Sequence, residues 1–271
     1  MSLVETDWLE KNLSEVKIID CSWHMPQTKR DGYSEYRNLH IKNSIFFDLD
    51  KNSKKNIKLP HMLVEKDEWE KIVSEMGINK NDRIIIYDNS DVISSCRCWF
   101  NFIYFGHDPN LVSILNGGLK KWINEKREVT HEVTYLKKAK YVGTEKKKLV
   151  KSKNAIDKNI KIKKFKVIDA RNRERFEGKV PEPRKGLRSG SIKNSFCIPF
   201  NLCLNKDKTF KNKEELENVF RSCLENITEQ NIVFSCGSGV TACVLALAYS
   251  LINDKYQPCI YDGSWAEYGL T

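Results

Sequence analysis

"NIVFSCGSGVTACVLALAYSL", residues 231–251, decides how the chain is read. A short β-branched run, Ile232–Ser235, ends on Cys236. Gly237, Ser238 and Gly239 then turn the chain into a stretch that is apolar nearly all round. A strand, a tight glycine turn and a buried helix fit a parallel sheet covered on both faces, where the outside of a helix has no wet side. The helix N-terminus faces Cys236. Its free N–H groups and the positive end of its dipole favour an anion there, and a thiolate is one. The glycines let successive N–H groups converge on the sulfur. In such sheets ligands sit beyond the C-terminal strand ends, which is where Cys236 falls.

Outward from this stretch the sequence repeats itself. "RIIIYDNSD" (83–91) parallels "NIVFSCGSG" (231–239), and "VKIID" (16–20) parallels "KVIDA" (166–170). "HIKNSIFFDL" (40–49) parallels "SIKNSFCIPF" (191–200), and "LNGGLKKW" (115–122) parallels "YDGSWAEY" (261–268). The offsets stay close: 149 from Asp20 to Asp169, 151 from Ile41 to Ile192, 148 from Asp88 to Cys236, 146 from Gly117 to Gly263. Four matches in one order at nearly one offset indicate duplicated domains. Helical spacing in "EKDEWEKIVSEMG" (65–77) and "KEELENVFRSCL" (213–224) alternates with the strands, which implies an α/β fold. The expected boundaries are residues 1–128, a lysine-rich linker at 129–152, and residues 153–271.

Charge supports that division. The chain has 46 basic and 36 acidic residues, a formal +10. Residues 137–166 alone hold thirteen lysines against Glu145 and Asp157. The excess is therefore local, with no aromatic interleaving, and reads as a solvated linker instead of a nucleic-acid surface. No run approaches the ~18 apolar residues of a membrane span. The N-terminus lacks a signal core and carries acidic residues, so the expected location is the cytoplasm, or mitochondria if upstream residues were removed. Nine cysteines with irregular spacing and no C-x-x-C predict free thiols, with no disulfide or zinc framework.

A nucleophilic cysteine allows three chemistries. A cysteine protease needs a histidine base, and all five histidines precede residue 132. A cysteine phosphatase carries arginine six residues after the cysteine, where this chain has Ala242. In sulfur transfer the thiolate takes a sulfur atom as a persulfide, which the amide cradle suits. Five of the eleven arginines fall in residues 171–188 although the chain otherwise prefers lysine. That clustering points to carboxylate recognition by the guanidinium fork.

"CGSGVTAC" with "DGSWAEY" resembles the two-domain rhodanese family, in its 3-mercaptopyruvate branch. "NGGLKKW", "RDGYSEYRNLHIKNSIFFDLD" (30–50) and "DARNRERFEGKVPEPRKGLRSGSIKNS" (169–195) resemble further family blocks, so the likeness spans about residues 3–268. It implies two tandem rhodanese-like domains, each a parallel sheet flanked by helices, with only the second catalytic and Asp88 standing in the first for the cysteine. It further implies sulfur transfer from 3-mercaptopyruvate through Cys236 to thioredoxin, another thiol or cyanide, without metal or organic cofactor. Thiosulfate as donor, or a non-catalytic sulfur-carrier module, are the alternative readings. Arg175 and Arg184 match the family's donor binders, and Gly237, Gly239, Val240 and Thr241 its cysteine loop. A serine–histidine–aspartate relay maps to Ser238, His40 and Asp31. Where the family commonly has His-Ile-Pro-Gly, "HIKNS" and "SIKNS" depart from it, with Ser191 in place of a histidine.

Overall fold

The computed structural model describes residues 2–271. Ile232–Ser235 is a strand buried at every position, and Val240–Ser250 is the helix after it, buried along nearly its whole length. The chain divides into two compact units. The first runs up to Lys55, continues over Leu63–Lys146, and includes Lys206–Thr209; the second is Asn56–Met62, Lys147–Asn205 and Phe210–Thr271.

The first unit is built on a five-stranded sheet of β1 (Leu3–Val4), β2 (Lys17–Asp20), β3 (Ser44–Phe46), β4 (Ile84–Tyr87) and β5 (Val112–Leu115). All pairings are parallel, in the order β1-β5-β4-β2-β3. The second unit has β6 (Val150–Lys151), β7 (Lys166–Asp169), β8 (Phe196–Cys197), β9 (Ile232–Ser235) and β10 (Ile260–Tyr261). Its order is β8-β7-β9-β10-β6, again all parallel. Counted within each copy, both sheets run first–fifth–fourth–second–third, so the repeat read from the sequence is a repeat of topology.

Local chemistry starts the helices where the pattern placed them. Asn212 and Glu215 form a reciprocal capping box for helix Lys213–Arg221, which buries Leu216 and Phe220. Helix Lys66–Glu75 buries Trp69 and Val73. The equivalent turns after β4 and β9 are held alike: the Leu119 amide donates to the Asp88 carbonyl at 3.0 Å, and the Trp265 amide to the Cys236 carbonyl at 2.9 Å.

The lysine-rich segment is not a solvated linker. Up to Lys146 it belongs to the first unit, and Lys147 onward to the second. The amides of Ala139, Thr144 and Lys146 donate to the carbonyls of Ser74, Phe105 and Tyr104. Tyr141 is buried, stacked on His107 with ring centres 5.8 Å apart. Further on, Val150–Lys151 is a sheet strand and Lys153–Ile162 a helix capped by Ser152. The lysine side chains stay outside while Tyr141, Leu149 and Ile156 go in.

Candidate active site

In the second unit, Ser235 at the end of β9 lies in register with Asp169 at the end of β7. These neighbouring strand ends carry the site. Cys236 is 1% exposed, and its amide donates to Ser264 Oγ at 3.1 Å. The carbonyls of Cys236 and Gly237 accept from the amides of Trp265 and Ala266, so the helix Ser264–Tyr268 fixes the loop from one side. Gly239 caps helix Val240–Ser250 at φ +78°, a left-handed conformation that a side chain disfavours. Val240 and Thr241 form the first turn, and the helix N-terminus is directed at the loop. Cys243 packs inside that helix, its thiol against the Gly239 carbonyl.

The arginines form a graded network. Arg171, buried, donates through Nε and Nη2 to both oxygens of Asp169, and through Nη2 to the Gly190 carbonyl. Its guanidinium lies 4.5 Å from the centre of the Trp265 ring, as does that of Arg188. Burial on its own lowers the Arg171 pKa, but the carboxylates of Asp169 and Glu182 outweigh it and hold the group above the ordinary arginine value. Arg171 Nη1 reaches Glu182 Oε1 at 2.8 Å. Glu182 in turn takes Arg175 by a fork, Nε to Oε1 at 3.2 Å and Nη2 to Oε2 at 2.6 Å. A Cβ at Gly237 would sit 3.3 Å from Arg175 Nη2 and 3.6 Å from Arg184 Nη1. Both guanidiniums therefore lie against the cysteine loop at a residue that leaves them room. Arg173 faces outward near Glu177.

Ser238 is nearly buried, with Arg184 Nη2 3.4 Å from its hydroxyl. The histidine beside it is His61, whose Nδ1 is 2.9 Å from Ser238 Oγ. His40 and Asp31, expected there, are elsewhere. His40 is fully buried in the first unit with Nδ1 against the Tyr36 carbonyl at 2.6 Å and Nε2 against the Glu132 carbonyl at 3.0 Å. Both ring nitrogens are committed to backbone. Asp31 is the exposed N-cap of helix Gly32–Asn38, accepting from the Ser34 amide at 2.7 Å. The Ser34 side chain, and then its amide, hold the Asp31 carboxyl below the usual aspartate value.

Sequence reasoning also passed over Glu182. His61 lies in residues 47–65, which hold no helix or strand, and a loop that long is commonly functional. His61 also adopts φ +61°, a strained conformation for a residue with a side chain.

The first unit holds the matching positions in another state. Asp88 stands where Cys236 stands, and its carboxylate accepts from the amides of Ser90 and Ser95, both at 2.8 Å. Its own oxygens satisfy two amides of the segment that follows it.

Fold and site define a tandem α/β protein with one loop cysteine placed for thiol chemistry in its second copy. The chain belongs to the rhodanese-like domain family, whose model matches residues 5–125 and 152–270. It is 35% identical over 290 residues to "Thiosulfate/3-mercaptopyruvate sulfurtransferase 1, mitochondrial" of Arabidopsis thaliana, covering 98% of this chain and 75% of that protein. It is 32% identical over 275 residues to 3-mercaptopyruvate sulfurtransferase of Mus musculus, covering 98% and 91%. Among solved structures, a 3-mercaptopyruvate sulfotransferase of Escherichia coli superposes with a TM-score of 0.87 at 30% identity, covering 98% of this chain and 99% of that one. No helix among the described residues is long and apolar enough to cross a membrane.

Proposed function

We propose that this sulfurtransferase takes its sulfur from 3-mercaptopyruvate and passes it, as a Cys236 persulfide, to a thiol acceptor. The observation that carries the reading is the division of charge at the loop. Residues 237–241 are uncharged, while the guanidiniums of Arg175 and Arg184 face Gly237 from outside the loop. An uncharged loop leaves recognition of the donor's carboxylate and carbonyl to these two cations.

In the first half-reaction the Cys236 thiolate attacks the thiol sulfur of the donor. A sulfur–sulfur bond forms and the bond between C3 and sulfur breaks. The electron pair passes into the enolate of pyruvate, and the proton of the donor thiol is delivered to C3. Ser238 and His61 move that proton, a reading supported by their 2.9 Å separation. Arg175 and Arg184 hold the carboxylate and stabilise the charge that develops on the carbonyl oxygen. In the second half-reaction an acceptor thiolate attacks the outer sulfur, and Cys236 returns as thiolate. A dithiol such as thioredoxin then closes its own disulfide and releases hydrosulfide; cyanide leaves as thiocyanate. The reduced Cys236 that this cycle needs suits a reducing compartment such as the cytosol.

Intact-mass measurement after donor treatment tests the carrier: one reducible sulfur is expected on the wild type and none on Cys236→Ser. Donor choice is tested by kcat/KM with one common acceptor. We expect 3-mercaptopyruvate to exceed thiosulfate by at least about tenfold, or ~1.4 kcal/mol in transition-state binding. Equal efficiency with both donors would overturn the donor and leave Cys236 as carrier.

A further inference from the structure

We infer that Glu182 is a positioning residue that sets donor selectivity, by aiming Arg175 at the cysteine loop and cancelling its charge. The inference rests on the proposed donor chemistry. It starts from a division of labour within one buried carboxylate. The Glu182 side chain is 2% exposed and faces two arginines. Arg171 depends on it only in part: both Asp169 oxygens and the Gly190 carbonyl occupy Nε and Nη2, while Nη1 donates to Glu182 Oε1 at 2.8 Å. Oε2 of Glu182 serves Arg175, at 2.6 Å, and Oε1 completes the fork. The sequence around it is stiff: Pro181 fixes its own backbone, and Pro183 holds Glu182 extended. The result is a rigid carboxylate holding one edge of Arg175, with Nη2 placed against Gly237.

The charges of this group balance. Asp169 and Glu182 are matched by Arg171 and Arg175, all joined by direct hydrogen bonds. Arg175 therefore brings the donor an oriented set of N–H groups whose charge is already compensated. That suits a monoanion, which gains from bond geometry. It suits a dianion poorly, because a compact double charge such as thiosulfate gains most from net positive potential. Mercaptopyruvate with its thiol protonated is a monoanion.

Glu182→Gln changes both properties in one direction. The fork loses its anionic acceptor, which weakens the grip on the mercaptopyruvate carboxylate, and the cluster gains one positive charge, which favours thiosulfate. Glu182→Asp separates the two, since it keeps the charge but is one methylene too short for the fork. For the Gln variant, the ratio of kcat/KM for mercaptopyruvate to that for thiosulfate should fall at least about tenfold, through KM for mercaptopyruvate and a steeper salt dependence with thiosulfate. For the Asp variant the mercaptopyruvate efficiency should fall without a gain for thiosulfate. Rates are normalised to the fraction of protein that accepts one sulfur in intact-mass measurement. A ratio within about twofold of wild type in the Gln variant overturns the inference. If that variant does not fold, the Asp variant decides: an unchanged ratio overturns the inference and a fall supports it. A wild type that prefers thiosulfate would instead strike at the donor assignment, so the two failures are distinguishable.

Discussion

Of the two histidines, His61 has Nδ1 2.9 Å from Ser238 Oγ, while His40 has its ring nitrogens against the Tyr36 and Glu132 carbonyls. His40 is itself buried, so His40→Gln should cost stability, about 1–3 kcal/mol for a buried carbonyl left without a donor. Among molecules that stay folded, turnover should hold. His61→Gln should do the reverse. It should leave melting close to wild type and lower kcat with mercaptopyruvate by at least about hundredfold, the usual scale of general acid–base catalysis. Its effect with thiosulfate, which brings no proton, should be smaller. Stopped-flow pyruvate release from the two variants checks the contrast; equal losses in both would remove His61 from proton transfer. The same pair shows what sequence can and cannot carry at this scale. Cys236, Ser238 and the glycines are legible because their chemistry is local to one turn. His61 meets Ser238 across 177 positions, and no local pattern encodes that distance. Glu182 was hidden differently: a glutamate between two prolines looks like surface until its burial is seen.

Strand ends are where the two copies have diverged, although their topology has not. Asp169 closes β7 with Arg171 as its partner. Asp20 closes β2 in the equivalent place, but two residues on the chain has Ser22, whose amide donates at 2.9 Å. Burial, with no cation to offset it, pushes the Asp20 carboxyl up to about 7 from an ordinary 3.8. The Ser22 bonds counter this only in part, and Asp88 adds to it. The folded state therefore keeps a proton that the unfolded chain has already lost between roughly pH 4 and 7. Stability should fall as pH rises through that window. The full penalty above it is on the order of 4 kcal/mol, at 1.36 kcal/mol per unit. Asp20→Asn should raise the melting temperature of the first unit at pH 8 and flatten its slope from pH 5 to 7. Some slope should remain, since burial raises Asp88 as well. Differential scanning calorimetry across pH 4.5–8 reads this. A variant no more stable than wild type at pH 8 would mean that Asp20 is not the buried acid its surroundings make it.

At the scale of the whole chain, the duplicated sheets were legible because buried parallel strands write themselves as short apolar runs, and two copies write them twice at one offset. The path from one unit to the next was not. Thirteen lysines in residues 137–166 suggested solvent, yet side-chain charge says nothing of where backbone amides go. The amides of Ala139, Tyr141, Gly143, Thr144 and Lys146 all find acceptors within the first unit. The Tyr141 ring is clamped between such neighbours as His107 and Phe102, with Lys80 Nζ 5.0 Å from its centre. A protease must lift several residues of such a strap before it can cut, so cleavage tracks the free energy of local opening. Lysines 137, 138, 140, 146, 147 and 148 would make a solvated tether the first site of trypsin attack. The packed strap should instead be cut slowly. Tyr141→Ala removes the side chain that anchors it, and losing a buried aromatic costs about 3–5 kcal/mol in a core. Even half of that would raise the open fraction by more than about tenfold. Limited trypsin digestion, followed by mass mapping of the first cleavage, should show cutting within residues 137–148 at least about tenfold faster in Tyr141→Ala than in wild type. First cleavage there at the same rapid rate in both proteins would return the segment to a free linker and leave the burial of Tyr141 without consequence.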